Sequence, residues 1–245
     1  MNKFFSVLLI VLMILSSNIW AERVQSRGIL KPLKQAILSS EISAKIIKMS
    51  LRSGDSFKVG DNLITFDCNL FEAQFRKVKA VVRSAQLQLE NNRKLEQRRS
   101  IGMLEVKLSE VLLEQRKAEL DMVFLNVQRC EISAPWSGRV VKRMSNEHES
   151  VELNQELISI VSTDQLEVEL VIPAIWVQWL KSGMSFVFEV DETGERIKST
   201  ILVVGSVVDA ASQTIKVRGS LDYLPSLLPG MSGNAYFQKS LSNGP

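Results

Sequence analysis

One phrase is written twice in this chain, and that repetition constrains the fold more than any other feature. When the sequence is slid against itself by 94 positions, "SAKIIKMSLRSGDSFKVGDNLITF" (Ser43 to Phe66) falls without a gap on "SGRVVKRMSNEHESVELNQELISI" (Ser137 to Ile160). Internal repeats report architecture before any local pattern does. Ile46 and Ile47 meet Val140 and Val141, Lys48 meets Lys142, Asp55 meets Glu149, Phe57 meets Val151, and Leu63-Ile64 meets Leu157-Ile158. Gly54 meets His148 and Gly60 meets Asn154. Gly, Asn and His tolerate positive φ best, so both copies set turn-friendly residues at the same two points. Each copy reads as short β-branched strands broken at those turns. Two matching β units imply one small β-sandwich with internal two-fold pseudo-symmetry, its halves closing on each other.

Between the copies, Asn69 to Arg129 has no proline and a single glycine, Gly102. Phe71, Phe75, Val78, Val82, Ala85 and Leu89 recur in alternating four- and three-residue steps. Leu104, Leu108, Val111, Ala118, Met122 and Leu125 follow the same rhythm, with Gln115 the polar exception. Each set is the pattern of a coiled-coil seam. "SIGM" (Ser100 to Met103) breaks the run, which predicts two helices folded back as an antiparallel hairpin. The first would reach roughly 45 Å at 1.5 Å per residue. Inserted between the halves of a sandwich, the hairpin must project from it.

After the second copy, a strand from Leu166 to Ile172 ends at Pro173, and a short amphipathic helix follows that Gly183 stops. "MSFVFEV", "STILVVGSVV", "TIKVRGSL" and "LLPGMSGNAYF" supply further strands, and "ERVQSRGILKP" (Glu22 to Pro32) adds one from before the first copy. A small β-barrel results, with the domains nested. The fold class is mainly β with an inserted α-helical hairpin. The expected division is a barrel at 22–35 and 164–238, a split sandwich at 36–68 and 129–163, the hairpin at 69–128 and a disordered tail at 239–245.

The first residues stand apart. Met1-Asn2-Lys3 precedes an apolar run from Phe4 to Leu15 and a polar break ending at Ala21. This reads as a secretory signal peptide at 1–21, with Glu22 as the mature N-terminus. The rival is a retained membrane anchor, although the run is short of the ~20 apolar residues that usually span a bilayer. Export would carry the two cysteines into an oxidising compartment.

Split β-domain, helical hairpin and barrel in this order resemble the periplasmic adaptor proteins of bacterial efflux and secretion pumps, the membrane fusion proteins of the HlyD/RND type. The residues that carry the resemblance are "SAKIIKMSLRSGDSFKVGDNLITFD" and "ISAPWSGRVV" for the two halves of a lipoyl-like domain, and "LEVELVIP", "SGMSFVFEV" and "LLPGMSGNAYF" for the barrel. The resemblance implies no enzymatic activity. It implies a periplasmic adaptor in a Gram-negative tripartite efflux pump. Such an adaptor associates with the inner membrane through an RND transporter and reaches an outer-membrane channel of the TolC type with its hairpin. Copies would assemble as a homo-oligomeric ring, trimer or hexamer. The alternatives are an adaptor of an ABC exporter or type I secretion system, a biotinyl or lipoyl carrier subunit, and a free-standing coiled-coil envelope protein. Family members that dock TolC-type channels carry an Arg, a Leu and a Ser around the tip. Asn91, Leu95 and Gly102 align there, so only the Leu matches. The chain is also expected to lack most of the membrane-proximal domain that follows the barrel in many pump adaptors.

The candidate channel-docking tip comprises Arg93, Lys94, Leu95, Arg98, Arg99, Gly102 and Met103. The competing explanation for its cations is a solvated helix end, where positive charge suits the helix dipole. Cys68 and Cys130 bracket the hairpin. In antiparallel helices both sit at the base, within reach of a disulfide, or each serves as a small buried thiol. A carrier domain modifies a Lys at the turn joining its halves. Lys48 and Lys142 lie inside the repeats, and no cofactor is expected. His148, the single histidine, reads as a turn residue. With no Ser/His/Asp set, phosphate loop or paired acid and base, no catalytic or metal-ligating residues are assigned. Net charge of +3 and few aromatics give no grounds for nucleic-acid binding. Trp176 and Trp179 are expected against the barrel, and Trp136 in the turn of the second half.

Overall fold

The structure is a computed structural model that describes residues 23–222 and 224–238. The signal peptide, the Glu22 terminus and the 239–245 tail lie outside the described residues. In chain order the elements begin with β1 (Arg23–Pro32), β2 (Gln35–Ser39), β3 (Ala44–Lys48), β4 (Ser56–Phe57) and β5 (Asn62–Phe66). Helices α1 (Asn69–Gln97) and α2 (Met103–Gln128) follow. The chain continues with β6 (Glu131–Ser133), β7 (Gly138–Arg143), β8 (Ser150–Val151) and β9 (Glu156–Val161). It closes with β10 (Leu166–Pro173), a 3-10 turn at Ala174–Gln178, β11 (Ser185–Val190), β12 (Arg196–Asp209), β13 (Thr214–Leu221) and β14 (Ser232–Gln238).

The chain divides into two compact units. Among the described residues, one holds those up to Leu33 and from Gln165 onward, and the other runs from Lys34 to Asp164. The first crossing thus falls two residues before the expected boundary after residue 35, because Gln35 already pairs with Val161 of β9.

The first unit is a closed barrel in the order β1-β10-β13-β12-β11-β14. Strict alternation along β10 buries Leu166, Val168, Leu170 and Ile172 and turns Glu167 and Glu169 outward, as a strand with one buried face requires. Phe186 and Phe188 of β11 and Phe237 of β14 fill the interior. Trp176 and Trp179 set their ring planes across Phe237, with centroids 5.9 and 6.2 Å away, and pack against the barrel core as expected.

The second unit begins with the sandwich. Its sheets run β2-β9-β7-β4 and β6-β5-β3-β8. A shift of 94 residues maps one order onto the other, strand by strand. Each sheet therefore takes two strands from each copy of the repeat. The copies interlace rather than form two separate halves. Core positions obey the same shift: Ile46, Phe57, Leu63, Ile64 and Phe66 are buried, and so are Val140, Val151, Leu157, Ile158 and Ile160.

The turns are reciprocal. Gly54, Gly60, His148 and Asn154 all hold positive φ. The Gly54 N–H donates to the Val140 carbonyl at 2.8 Å, and the His148 N–H to that of Ile46 at 2.8 Å. Asp55 accepts from the Arg52 N–H at 2.7 Å, and Glu149 from that of Asn146 at 2.8 Å. The repeat is thus conserved within the chain down to its side-chain caps.

Candidate docking site

The hairpin is built on a seam that only α1 shows in the expected places. Ala85 and Leu89 are buried, Phe75, Val78 and Val82 are half-buried, and Phe71 packs partly buried against the sandwich core. On α2 the expected seam is overturned. Leu104, Leu108, Val111, Met122 and Leu125 are between 51 and 65% exposed, and Ala118 is exposed as well. The face turned to α1 is instead Val106, Ser109, Leu113, Arg116, Leu120, Val123 and Val127. This set has the same alternating steps, so α2 carries two heptad stripes on opposite sides. Polar matching selects between them: the Asn92 amide donates to the Ser109 hydroxyl at 2.6 Å. Ser109 in turn donates to the Glu105 carbonyl at 2.8 Å. Phe75 meets Phe124 with ring centroids 5.6 Å apart. In the sequence, Asn92 continues the α1 rhythm and needs a polar partner at its own level, where the second stripe of α2 has Ser109 and the first has Leu108 and Val111.

At the far end, α1 stops in a Schellman motif. The Ser100 N–H donates to the Leu95 carbonyl at 2.9 Å and the Arg99 N–H to the Glu96 carbonyl at 2.7 Å. The motif needs a left-handed residue, usually Gly, at the position held here by Arg99, whose φ is 57°. For a residue with a Cβ this conformation costs roughly 1–2 kcal/mol. Strained backbone of this kind clusters where a side chain has work to do. Gly102 is the N-cap of α2 with extended backbone, and Glu105 sits in the first turn, where the dipole favours an anion.

Of the seven expected tip residues, Arg93 forms an ion pair with Glu110 at 2.8 Å. Lys94, Arg98 and Arg99 are exposed and make no ion pair among the described residues. Leu95 is half-buried beneath them, and Met103 is 64% exposed beside them. The tip thus carries three cations without an ion pair among the described residues, together with the apolar Leu95 and Met103.

At the base, Cys68 and Cys130 are joined by a disulfide with Cα atoms 6.0 Å apart. Both are buried in the sandwich core, Cys68 immediately before α1 and Cys130 just beyond α2. Arg129 adds an ion pair to Glu41 at 3.0 Å, tying the end of α2 to the loop between β2 and β3. Lys48 and Lys142 lie at the end of β3 and within β7, not at a turn joining the halves. Trp136 packs partly buried against the sandwich core. Among the described residues no three His, Cys, Asp or Glu side chains converge, and no helix is long and apolar enough to cross a membrane.

A sandwich of interlaced sheets, opened at one point by a helical hairpin and accompanied by a closed barrel, defines the membrane fusion protein class. The chain belongs to the RND family of that class: residues 34–163, more than half its length, match the family model described as "RND MFP, barrel-sandwich hybrid domain". It is 26% identical over 225 residues to nodulation protein NolF of Rhizobium meliloti (strain 1021), covering 86% of this chain and 61% of that one. An uncharacterized protein of Haemophilus influenzae is 17% identical, covering 83% of this chain and 53% of that one. The chain thus spans between half and two thirds of these relatives. The fold is similar to a MacA-MexA chimera that carries the Pseudomonas aeruginosa MexA α-hairpin, with a TM-score of 0.79, 17% identity, and coverage of 89% of this chain and 81% of that one. It is also similar to a putative efflux transporter from Bacteroides eggerthii, with a TM-score of 0.71, 19% identity, and coverage of 89% and 70%.

Proposed function

We propose that this chain is the periplasmic adaptor of a tripartite efflux pump, linking an inner-membrane RND transporter to an outer-membrane channel of the TolC type. The carrying observation is the hairpin. Its longer helix has 29 residues, about 44 Å at 1.5 Å per residue, and ends in a strained, cation-bearing tip away from the sandwich that roots it. A projection this long adds exposed surface without adding core, so its use is to reach something. In this reading several copies form a ring, the barrel and sandwich rest on the transporter, and Leu95 to Met103 meet the channel mouth. Nothing catalytic is asked of the chain. Lys48 and Lys142 give the carrier reading no support, since neither stands where a swinging arm would need it.

The test is crosslinking in the envelope. The wild-type chain should be recovered with both a transporter and a channel. Reversing the tip charge with Arg98→Glu and Arg99→Glu should reduce channel recovery, leave transporter recovery intact and raise susceptibility to exported compounds. Undiminished channel recovery and efflux would reduce the cations to a solvated helix end.

A further inference from the structure

We propose that the sandwich takes up an extended peptide of a partner protein in a slot between β2 and β6, pairing it as an added strand. The inference goes beyond the adaptor reading and uses neither the hairpin tip nor the barrel.

The slot follows from the register. The Ser162 N–H donates to the Lys34 carbonyl at 2.9 Å. Along the antiparallel pairs that follow, Gln35–Val161, Ala36–Ile160, Ile37–Ser159 and Leu38–Ile158, only every second one is hydrogen-bonded. Ala36 and Leu38 therefore bond to β9, and Gln35 and Ile37 turn their N–H and carbonyl groups to the outer edge. On β6 the Phe66 N–H donates to the Cys130 carbonyl and the Ala134 N–H to the Asp61 carbonyl, both at 2.9 Å. Ile132 lies between these points opposite Ile64, so Glu131 and Ser133 are the residues whose backbone faces outward. Ile37 and Glu131 are equivalents under the 94-residue shift. β2 pairs only with β9 and β6 only with β5, so the two free edges share no ladder.

Both edges line one groove of about 690 Å³, bordered also by the last turn of α2. That is far more than the ~30 Å³ one water occupies. The sandwich core is open along it. Leu38 and Ile132 are only partly buried, whereas Ile158 and Ile64, which pair with them, are fully covered. Ile37, on the other face of β2, is 49% exposed. β2 carries neither a charge nor a proline, the devices by which natural proteins blunt an edge.

This chemistry selects the occupant. A lipid tail or an apolar small molecule would cover the side chains and leave the edge N–H and carbonyl groups buried without partners, which is costly. Extended main chain satisfies both edges, and its alternate side chains reach the open core. Of the charged residues that line the groove, Glu41 and Arg129 are already paired at 3.0 Å, which leaves Glu131. The fitting segment alternates apolar side chains turned inward with a cation turned outward.

The probe is fluorescein-labelled Thr-Val-Lys-Val-Thr amide, titrated with the full chain by fluorescence polarisation. It should bind, and its counterpart N-methylated at both valines should bind at least tenfold more weakly. Hydrogen exchange at Ile37 and Glu131 should be fast in the free chain and slow at least tenfold with peptide, while the barrel is unchanged. Ile37→Pro removes an edge donor that bonds nothing in the chain, so it should melt near the wild type and lose at least tenfold in binding. Glu131→Lys should reverse the preference, favouring the peptide with Glu in place of Lys. Equal binding of the N-methylated peptide, protection at other residues, or no binding at the highest soluble concentration of the chain would overturn the proposal. Protection of Ile37 that grows with chain concentration and needs no peptide would overturn it in favour of a second copy. The adaptor reading stands or falls separately, on the crosslinking above.

Discussion

The backbone N–H of His148 donates to the carbonyl of Ile46 at 2.8 Å, across 102 residues of chain that include the whole hairpin. Its repeat counterpart, Gly54 to Val140, has the same length. Each copy's turn is thus held by a strand of the other copy, and neither copy has its hydrogen bonds satisfied alone. His148 should therefore be sensitive to backbone preference rather than to loss of its imidazole. His148→Gly should leave stability within about 1 kcal/mol of the wild type, whereas the β-branched His148→Val should lose roughly 1–2 kcal/mol in thermal denaturation.

Gly138 and Ala44 occupy equivalent positions in the two copies, yet only one can carry a side chain. A Cβ on Gly138 would collide with the Val161 carbonyl and meet the Phe57 ring at 3.3 Å. Gly138→Ala should cost about 1–3 kcal/mol by overpacking at the β7–β9 pair. Calorimetry of that variant beside Ala44→Gly, which loses roughly 0.5–1 kcal/mol through backbone entropy together with one partly buried methyl, sets overpacking against loss of a side chain.

The Cys68–Cys130 disulfide closes a loop with a sequence separation of 62. Chain-entropy reasoning assigns such a loop up to about 4 kcal/mol. Reductant should lower the melting temperature of the wild type and leave the double Cys→Ala variant unmoved. Equal melting with and without reductant would show that the thiols are not bonded.

Arg99 permits a separation of charge from structure. Because its left-handed backbone suits glycine, Arg99→Gly should keep stability within about 1 kcal/mol while removing one tip cation. Reduced channel crosslinking at unchanged melting temperature is the expected pair of readings.

The α2 register can be checked in the isolated chain. Leu113→Ala, on the half-buried seam, should cost about 1–2 kcal/mol. Leu108→Ala, on the free stripe, should change stability by no more than about 0.5 kcal/mol.

These contrasts mark where the sequence was legible. The repeat was readable because both copies answer to one geometry, so Gly54, Gly60, His148 and Asn154 fall on positive φ together. The barrel strands were readable from alternation, which a one-sided sheet enforces. The interlacing of the sheets was not, because pairing partners far apart in the chain leave no mark on local period. The α2 seam is ambiguous in sequence for a related reason. Two stripes satisfy the same spacing, and only contact between Asn92 and Ser109 distinguishes them. At the tip, the cations were visible as composition, while the left-handed Arg99 was not, since an arginine in that conformation has no local signature.

The bond at the hairpin's base changes what a break in the chain would mean. Everything from residue 69 to 129 lies inside one covalent ring closed by Cys68 and Cys130. A protease that nicked the exposed turn at Ser100 would leave two polypeptides that still migrate as one molecule, parting only when reductant is added. The projecting arm can be opened at its far end without being shed.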